Sequence, residues 1–301
     1  MTLTPRQKKL LKNSISGCVY GYVIGNAMGA TSDLMTAQDI KSKFGKIRKI
    51  VGGGPCYTNK GEVTDEAALT LCLMDLLVDF DFSKSVDEFK TECADSFVES
   101  MKTKPMFLDA GTARAIKHYE SNDEFMPECQ YSTSVGGLSR AMPCAVLGNS
   151  ILNKAQTEIT HNNRIVLKVV RRYTSIVKQI IRTSAYSDCF RNADNFKHFL
   201  HDYGGINLLV VRKPQASLLS DKAFDNALLY SSEDSFTDCA IAAVNDGISS
   251  SVTASIACSI CGARLGFSSI PYKYVASLDV DLLPRLGKFI SFATDYVISN
   301  F

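Results

Sequence analysis

Apolar residues recur along this chain with the spacing of α-helices almost from end to end. Thr4 followed by Pro5 is a helix-start signal, a capping side chain and then a proline in the first turn. Leu11, Ile15, Val19, Val23 and Ala27 follow at intervals of four, one stripe of a long first helix. Gly17, Gly21, Gly25 and Gly29 repeat with the same period and leave a smooth face that another backbone can approach closely. The same reading predicts helices over 66–79, 86–101, 107–120, 139–152, 162–184, 191–202, 235–247, 251–266 and 280–299. Strand signals are sparse: the apolar run 206–211 reads equally as a strand or as a short buried helical turn. Gly52-Gly53-Gly54-Pro55, Lys104-Pro105, Gly136-Gly137, Gly204-Gly205 and Lys213-Pro214 mark loops, none long enough to be a linker. The expected architecture is a single compact all-α domain of many helices over 1–301.

Composition narrows the class. Hydrophobic residues make up 46% and charged ones 21% of the 301 residues, which excludes disorder as the main state. With 33 basic and 31 acidic side chains, the net charge of +2 speaks against a nucleic-acid surface spread over the protein. No apolar run approaches the ~18 residues of a transmembrane helix, and the N-terminus lacks the apolar core of a secretory signal. Residues 6–12 form a basic segment that reads as a solvated helix face or as a contact arm for a protein partner. The 10 cysteines are too dilute for a disulfide scaffold and mostly sit among Ala, Leu, Ile and Ser. The lone Cys258-x-x-Cys261 pair has no second pair to complete a zinc site. Buried thiols in a reducing, cytoplasmic setting are the expectation.

Four stretches interrupt the helices with polar or flexible residues. The first runs from Gly25 through Asn26, Ala27, Met28, Gly29, Ala30, Thr31 and Ser32 to Asp33. The second is Glu62-Val63-Thr64-Asp65-Glu66, where Thr64 reads as an N-cap with Asp65 and Glu66 facing the helix dipole, or as hard oxygen ligands for Mg²⁺ or Ca²⁺. The third is 134–143 together with Thr160-His161, and the fourth is 244–252, leading into a small-residue helix that ends near Ile270-Pro271.

In order and spacing these stretches resemble the ADP-ribosylglycohydrolase family, most clearly over 15–272. Its Gly-Asp-Ala-Leu-Gly-Ala-Thr-x-Glu element is similar to Gly25–Asp33, and its Thr-Asp-Asp-Thr to Thr64-Asp65-Glu66-Ala67. Its Met-Arg-x-x-Pro element looks like Ser139-Arg140-Ala141-Met142-Pro143, its Thr-His pair like Thr160-His161, and its closing Gly-Ala-x-x-Gly like Gly262 to Gly266. The resemblance implies an all-helical fold that removes ADP-ribose from proteins or small acceptors with a pair of Mg²⁺ or Mn²⁺ ions. It implies catalytic roles for Asp33 and Asp65, and metal ligation by Thr64, Asp65 and Glu66. It also implies ligand contacts from Asn26, Gly136, Arg140, His161, Ser249 and Ser251. Arg140 reads as a pyrophosphate ligand, as the partner of an internal carboxylate or as a structural ion pair; His161 reads as a ribose contact or as a capping residue.

The chain departs from the family at the metal motifs. An Asp-x-Asp-Thr sequence precedes the last small-residue helix in the family; the register set by Gly262-Ala263 puts Ser249, Ser251 and Val252 there. Anionic ligands must balance most of the charge of two divalent ions, and serine hydroxyls are neutral. The expectation is therefore at most one weakly held Mg²⁺, and a protein that recognises ADP-ribose or an ADP-ribosylated target with weak or no metal-dependent hydrolysis. The alternative is an active hydrolase with an altered metal site.

Overall fold

The structure, a computed structural model, describes residues 3–103, 107–127, 132–202 and 217–301. Helix α1 spans Pro5–Gly29 and starts as its sequence predicts: the Thr4 hydroxyl accepts from Gln7 N, and the Gln7 side chain accepts from Thr4 N. Next come α2 (Ala37–Phe44), α3 (Asp65–Asp79), α4 (Val86–Thr103) and α5 (Ala110–Asn122). Three short helices follow, α6 (Gly136–Ser139), α7 (Met142–Leu147) and α8 (Ser150–Glu158), and then α9 (Arg164–Ser184) and α10 (Ala193–Asp202). The chain closes with α11 (Ser220–Ser231), α12 (Phe236–Val244), α13 (Ser250–Leu265), α14 (Tyr272–Val275) and α15 (Leu282–Ser299).

The four-residue glycine row explains the centre of the molecule. An added Cβ at Gly17, Gly21, Gly25 or Gly29 would come within 3.0 Å of the carbonyl oxygen of Gly262, Cys258, Ala254 or Ser250, respectively. Helices α1 and α13 therefore run antiparallel in near backbone contact, and α13 is buried along its whole length. Helices α9 and α12 pack against both members of this pair, α11 against α13 and α15 against α1, with α3, α4, α7 and α8 packed around them. Helix α9 buries Val166, Val169, Val170, Tyr173, Val177, Ile180 and Ile181, the stripe that its period predicts.

The all-α expectation holds among the described residues: besides helices they contain only isolated bridges, Thr36 to Gly247, Gly53 to Thr58 and Ser134 to Leu219. Three local expectations change. The single helix expected over 139–152 is broken after Ser139 and again at Gly148, whose φ of +67° ends α7. Asn149 then caps α8 by accepting from Leu152 N, and this helix continues to Glu158. Gly136-Gly137, expected as a loop, forms the first turn of α6. Helices α2 and α11 and the single turn of α14 lie outside the predicted segments; α2 buries only Ile40, too little to make a period. The run 206–211 and the Lys104-Pro105, Gly204-Gly205 and Lys213-Pro214 signals lie outside the described residues.

The described thiols are all free, and six of them are buried, Cys258 and Cys261 included. The basic segment lies on the exposed face of α1, with Arg6, Lys8, Lys9 and Lys12 in solvent. No helix of the described residues is long and apolar enough to cross a membrane.

Candidate active site

The C-terminal end of α1 and the N-terminal end of α13 meet at the same end of the molecule because the two helices are antiparallel. Beyond α1 the chain turns through Leu34 (φ 59°), and Ile248 (φ 57°) precedes α13. These two turns are tied by bonds from Leu34 N to the Ile248 carbonyl and from Ile248 N to the Met35 carbonyl. Gly54, at φ +72°, lies so close to the Thr31 and Ala30 carbonyls that a side chain has no room. That approach carries Cys56 over the end of α1.

A cavity of about 580 Å³ opens at this end. Asp33 lines it from the turn after α1, Cys56 from the glycine-rich loop, Thr64 and Glu66 from the start of α3, Asp109 and Ser134 from the α5 side, and Ser249, Ser251 and Val252 from the start of α13. Its mouth is apolar: Leu34, Phe107, Leu218 and Leu219 line it and are exposed.

Two acids in this cavity hold their protons unusually far towards neutrality. Burial pushes Asp33 up to about 6, against the opposing bonds from Ser251. The Ser251 hydroxyl donates to Asp33 Oδ2 at 2.7 Å and its backbone N–H to Oδ1 at 3.3 Å. Burial also pushes Glu66 up to about 7, helped by the Asp109 carboxylate. Glu66 Oε1 accepts from Asp109 N at 3.0 Å and Oε2 from the Ser139 hydroxyl at 3.2 Å. Asp109 goes the other way. Burial would raise it, but His161 and the hydroxyls of Thr112 and Ser134 outweigh that and hold it well below the usual carboxylate range.

Behind the wall runs a directed chain of hydrogen bonds. Ionised Asp109 can only accept, so the Ser134 hydroxyl, 2.8 Å from Oδ1, donates to it. The same hydroxyl must then accept from His161 Nε2, also at 2.8 Å. Burial lowers the His161 pKa against the pull of Asp109, which favours the neutral ring. With its proton on Nε2, Nδ1 accepts from Thr160 Oγ1 at 2.8 Å, and Thr160 accepts from Arg140 Nη2. One arrangement of protons thus links buried Arg140 to the Asp109 carboxylate.

The structure brings Asp33, Thr64, Glu66, Ser249 and Ser251 together around the cavity. Other residues singled out from the sequence lie elsewhere. Asn26 is buried and clamps α1 to the start of α3, donating to Thr64 Oγ1 and accepting from Thr64 N. Thr64 occupies the N-cap position, yet its side chain makes no capping bond. Asp65 accepts from Phe107 N at 2.8 Å and is not part of the cavity lining. Gly136 lets α6 pass Asp109, Thr112 and His161, each within 3.0 Å of where a Cβ would be. Arg140 is fully buried beneath the site, 5.2 Å above the Phe97 ring, with Nε and Nη1 lacking partners among the described residues. Among the described residues it forms no ion pair of the kind expected for a structural salt bridge, and the Glu66 and Asp109 carboxylates act on it through their field.

Asp109, Ser134 and the apolar mouth were not identified as functional candidates from the sequence, although Ser134 opened one of the polar stretches. Asp109 falls inside the helix expected over 107–120, whereas α5 starts at Ala110 and Asp109 caps it through Gly111 N and Thr112 N. No three His, Cys, Asp or Glu side chains among the described residues converge as a metal-holding group.

Comparison with known proteins adds context. A family model described as ADP-ribosylglycohydrolase matches residues 7–296. The chain is 27% identical over 274 residues to ADP-ribosyl-dinitrogen reductase glycohydrolase of Rhodospirillum rubrum, covering 88% of this chain and 90% of that one. It is 37% identical over 70 residues to the uncharacterized protein YegU of Escherichia coli K12, covering 22% of this chain and 21% of that one. A solved structure of an ADP-ribosylglycohydrolase-related protein complex superposes with a TM-score of 0.74 at 19% identity, covering 96% of this chain and 98% of the other.

Proposed function

The chain belongs to the ADP-ribosylglycohydrolase family, and from that premise we propose that its cavity recognises ADP-ribose or an ADP-ribosylated target, with little or no metal-dependent hydrolysis. The observation that carries this reading is the state of the α13 N-terminus. Ser249 donates its hydroxyl to the Ser217 carbonyl at 2.5 Å and Ser251 donates to Asp33, while Val252 brings only methyl groups to the lining. Two divalent ions need bridging anionic oxygens, and this wall supplies neutral donors already engaged with acceptors. The donor set does not fit a dinuclear centre. At most one Mg²⁺ would be held, weakly, through the oxygens of Thr64 and Glu66; Asp65, the third candidate ligand, is turned to Phe107 N outside the lining.

Ligand recognition is better supported. A volume of about 580 Å³ lies in the range of small-molecule sites. The apolar mouth suits a ring face, while the oxygens of Ser249 and Ser251, whose protons go to the Ser217 carbonyl and Asp33, can accept from ribose hydroxyls. The many free thiols are consistent with a reducing, cytoplasmic compartment.

A second reading is favoured by Asp33 at about 6 and Glu66 at about 7. Acids poised near neutrality suit proton transfer to a glycosidic leaving group. An active hydrolase of altered site would use Asp33 or Glu66 as that acid, while Asp65 would have to leave Phe107 N and swing into the cavity to position water.

Calorimetric titration of ADP-ribose with Mg²⁺, and then with EDTA, separates the readings. Binding that is indifferent to EDTA, without turnover of ADP-ribosylated substrate, is expected. Adding Ser249→Asp, Ser251→Asp and Val252→Thr together should create Mg²⁺-dependent hydrolysis. Robust Mg²⁺-dependent turnover by the unaltered chain would overturn the silent reading; absence of ADP-ribose binding in both buffers would overturn the ligand.

A further inference from the structure

A second cleft lies at the other end of the α1/α13 pair. Its volume is about 240 Å³, and it is lined by Arg6, Asn13 and Ser14 of α1, Arg264 of α13 with Gly266 just beyond it, and Arg191 and Asp188 from the turn before α10. It sits ~25 Å from the first cavity, judged by the rise of the intervening turns of α1.

Arg264 is the unusual member. It is only 4% exposed. Its Nη1 donates to the Phe190 and Arg191 carbonyls at 3.0 and 2.9 Å, its Nη2 donates to the Glu233 carbonyl, and Nε has no partner among the described residues. Neutral carbonyls take its Nη donors and the Phe196 ring lies 5.2 Å from its guanidinium carbon, and among the described residues no carboxylate forms an ion pair with it. A buried guanidinium without a counter-charge is costly, and an anion in the cleft would relieve that cost. By gripping the 190–191 turn, Arg264 also holds the backbone from which the exposed Arg191 guanidinium projects. A Cβ on Gly266 would lie within 4 Å of both Asn13 Nδ2 and Arg191 Nη2, so two further donors converge at the cleft wall. Arg6 completes the rim from the first turn of α1.

We propose that this cleft binds a small phosphomonoester, at a site separate from the ADP-ribose cavity and independent of that assignment. Three arginines against one aspartate leave two positive charges, matching the nearly doubly charged phosphate of an ester at neutral pH. Guanidinium groups suit the geometry of phosphate oxygens. The volume is below that of drug-sized sites, so the ester is small.

Calorimetry and ³¹P NMR with glycerol 3-phosphate test this, with orthophosphate as the bare-anion control and ADP-ribose as competitor. One equivalent of glycerol 3-phosphate should bind whether or not ADP-ribose is present, more tightly than orthophosphate, and less tightly as salt rises. Arg191→Ala and Arg6→Ala, both at exposed positions, should each weaken it about tenfold or more while leaving ADP-ribose binding unchanged. Absence of saturable binding in the millimolar range, equal affinity for orthophosphate, one-for-one displacement by ADP-ribose, or unchanged affinity in both variants would overturn the proposal.

Discussion

Glu66 illustrates how one side chain couples the chemistry of the cavity to the stability of the protein. The folded chain holds the Glu66 proton to about 7 and the Asp33 proton to about 6, whereas their ordinary values are 4.5 and 3.8. Between each pair of values the folded state binds more protons than the unfolded state, so both groups make stability fall as pH rises through that window. His161 opposes them: burial lowers its pKa below 6.5, which makes stability rise with pH beneath that value. Asp109, held low, contributes stability that is complete above its ordinary 3.8 and lost only in stronger acid. A difference measurement isolates Glu66. In Glu66→Gln, the stability gained over the parent should grow between about pH 4.5 and pH 7 and stay flat above that. Urea midpoints at about pH 5 and about pH 8 check this, and an equal difference at both would show that Glu66 titrates normally. Asp65, adjacent in sequence, is bound to the backbone of Phe107; neighbours in a motif need not share an environment.

At the scale of the element, the seam between α1 and α13 makes a single type of substitution change sign with its position. Alanine is favoured over glycine inside a helix by about 1 kcal/mol. At Gly287 of α15 nothing lies within 4 Å of the new Cβ, so Gly287→Ala should stabilise by roughly 0.5–1 kcal/mol. At Gly21 the same methyl would enter the Cys258 carbonyl, and Gly21→Ala should destabilise by about 2–3 kcal/mol or more because two backbones must separate. Chemical denaturation of both variants tests the close approach directly. The glycine row was legible in the sequence as a smooth face, since its period of four is a local property of one helix. Its partner was not, because nothing in residues 17–29 says which distant segment fills the face. The breaks in α6–α8 were missed for a related reason: Pro143 and Gly148 were present, but the apolar residues around them kept a helical period across the interruptions.

On the scale of the whole molecule, most of the thiols disappear into the helical layers. Cys18, Cys93, Cys144, Cys239, Cys258 and Cys261 are buried, whereas Cys56, Cys72 and Cys189 are partly exposed. Burial raises the thiol pKa of Cys18, Cys93, Cys144 and Cys239, leaving the unreactive protonated form. Alkylation followed by mass spectrometry should therefore modify Cys189 and Cys72 in the native protein and spare the six buried thiols until global unfolding. Cys56 should react slowly despite its place in the cavity wall, because burial and the Asp33 carboxylate push its thiol up to about 12. Fast labelling of Cys258 or Cys261 under native conditions would mean that α13 opens locally, contrary to its position at the centre.

The helical class, the start of α1, the smooth glycine face and the family resemblance are all written in the linear order of residues. Each rests on local periodicity or on motif order along the chain, which survive without knowledge of contacts. That order also pointed to Asp33, Thr64, Glu66, Ser249 and Ser251, because these stand in polar stretches that interrupt the helices and match the order of the family's motifs. Packing across space brings Asp109 and Ser134 to them from the α5 side and sets Arg140 and His161 behind the wall. Burial and electrostatic fields depend on what lies across space. The shifts of Asp33 and Glu66, the uncompensated charge of Arg264 and the cleft around it follow from packing between segments far apart in the chain, which no local pattern records.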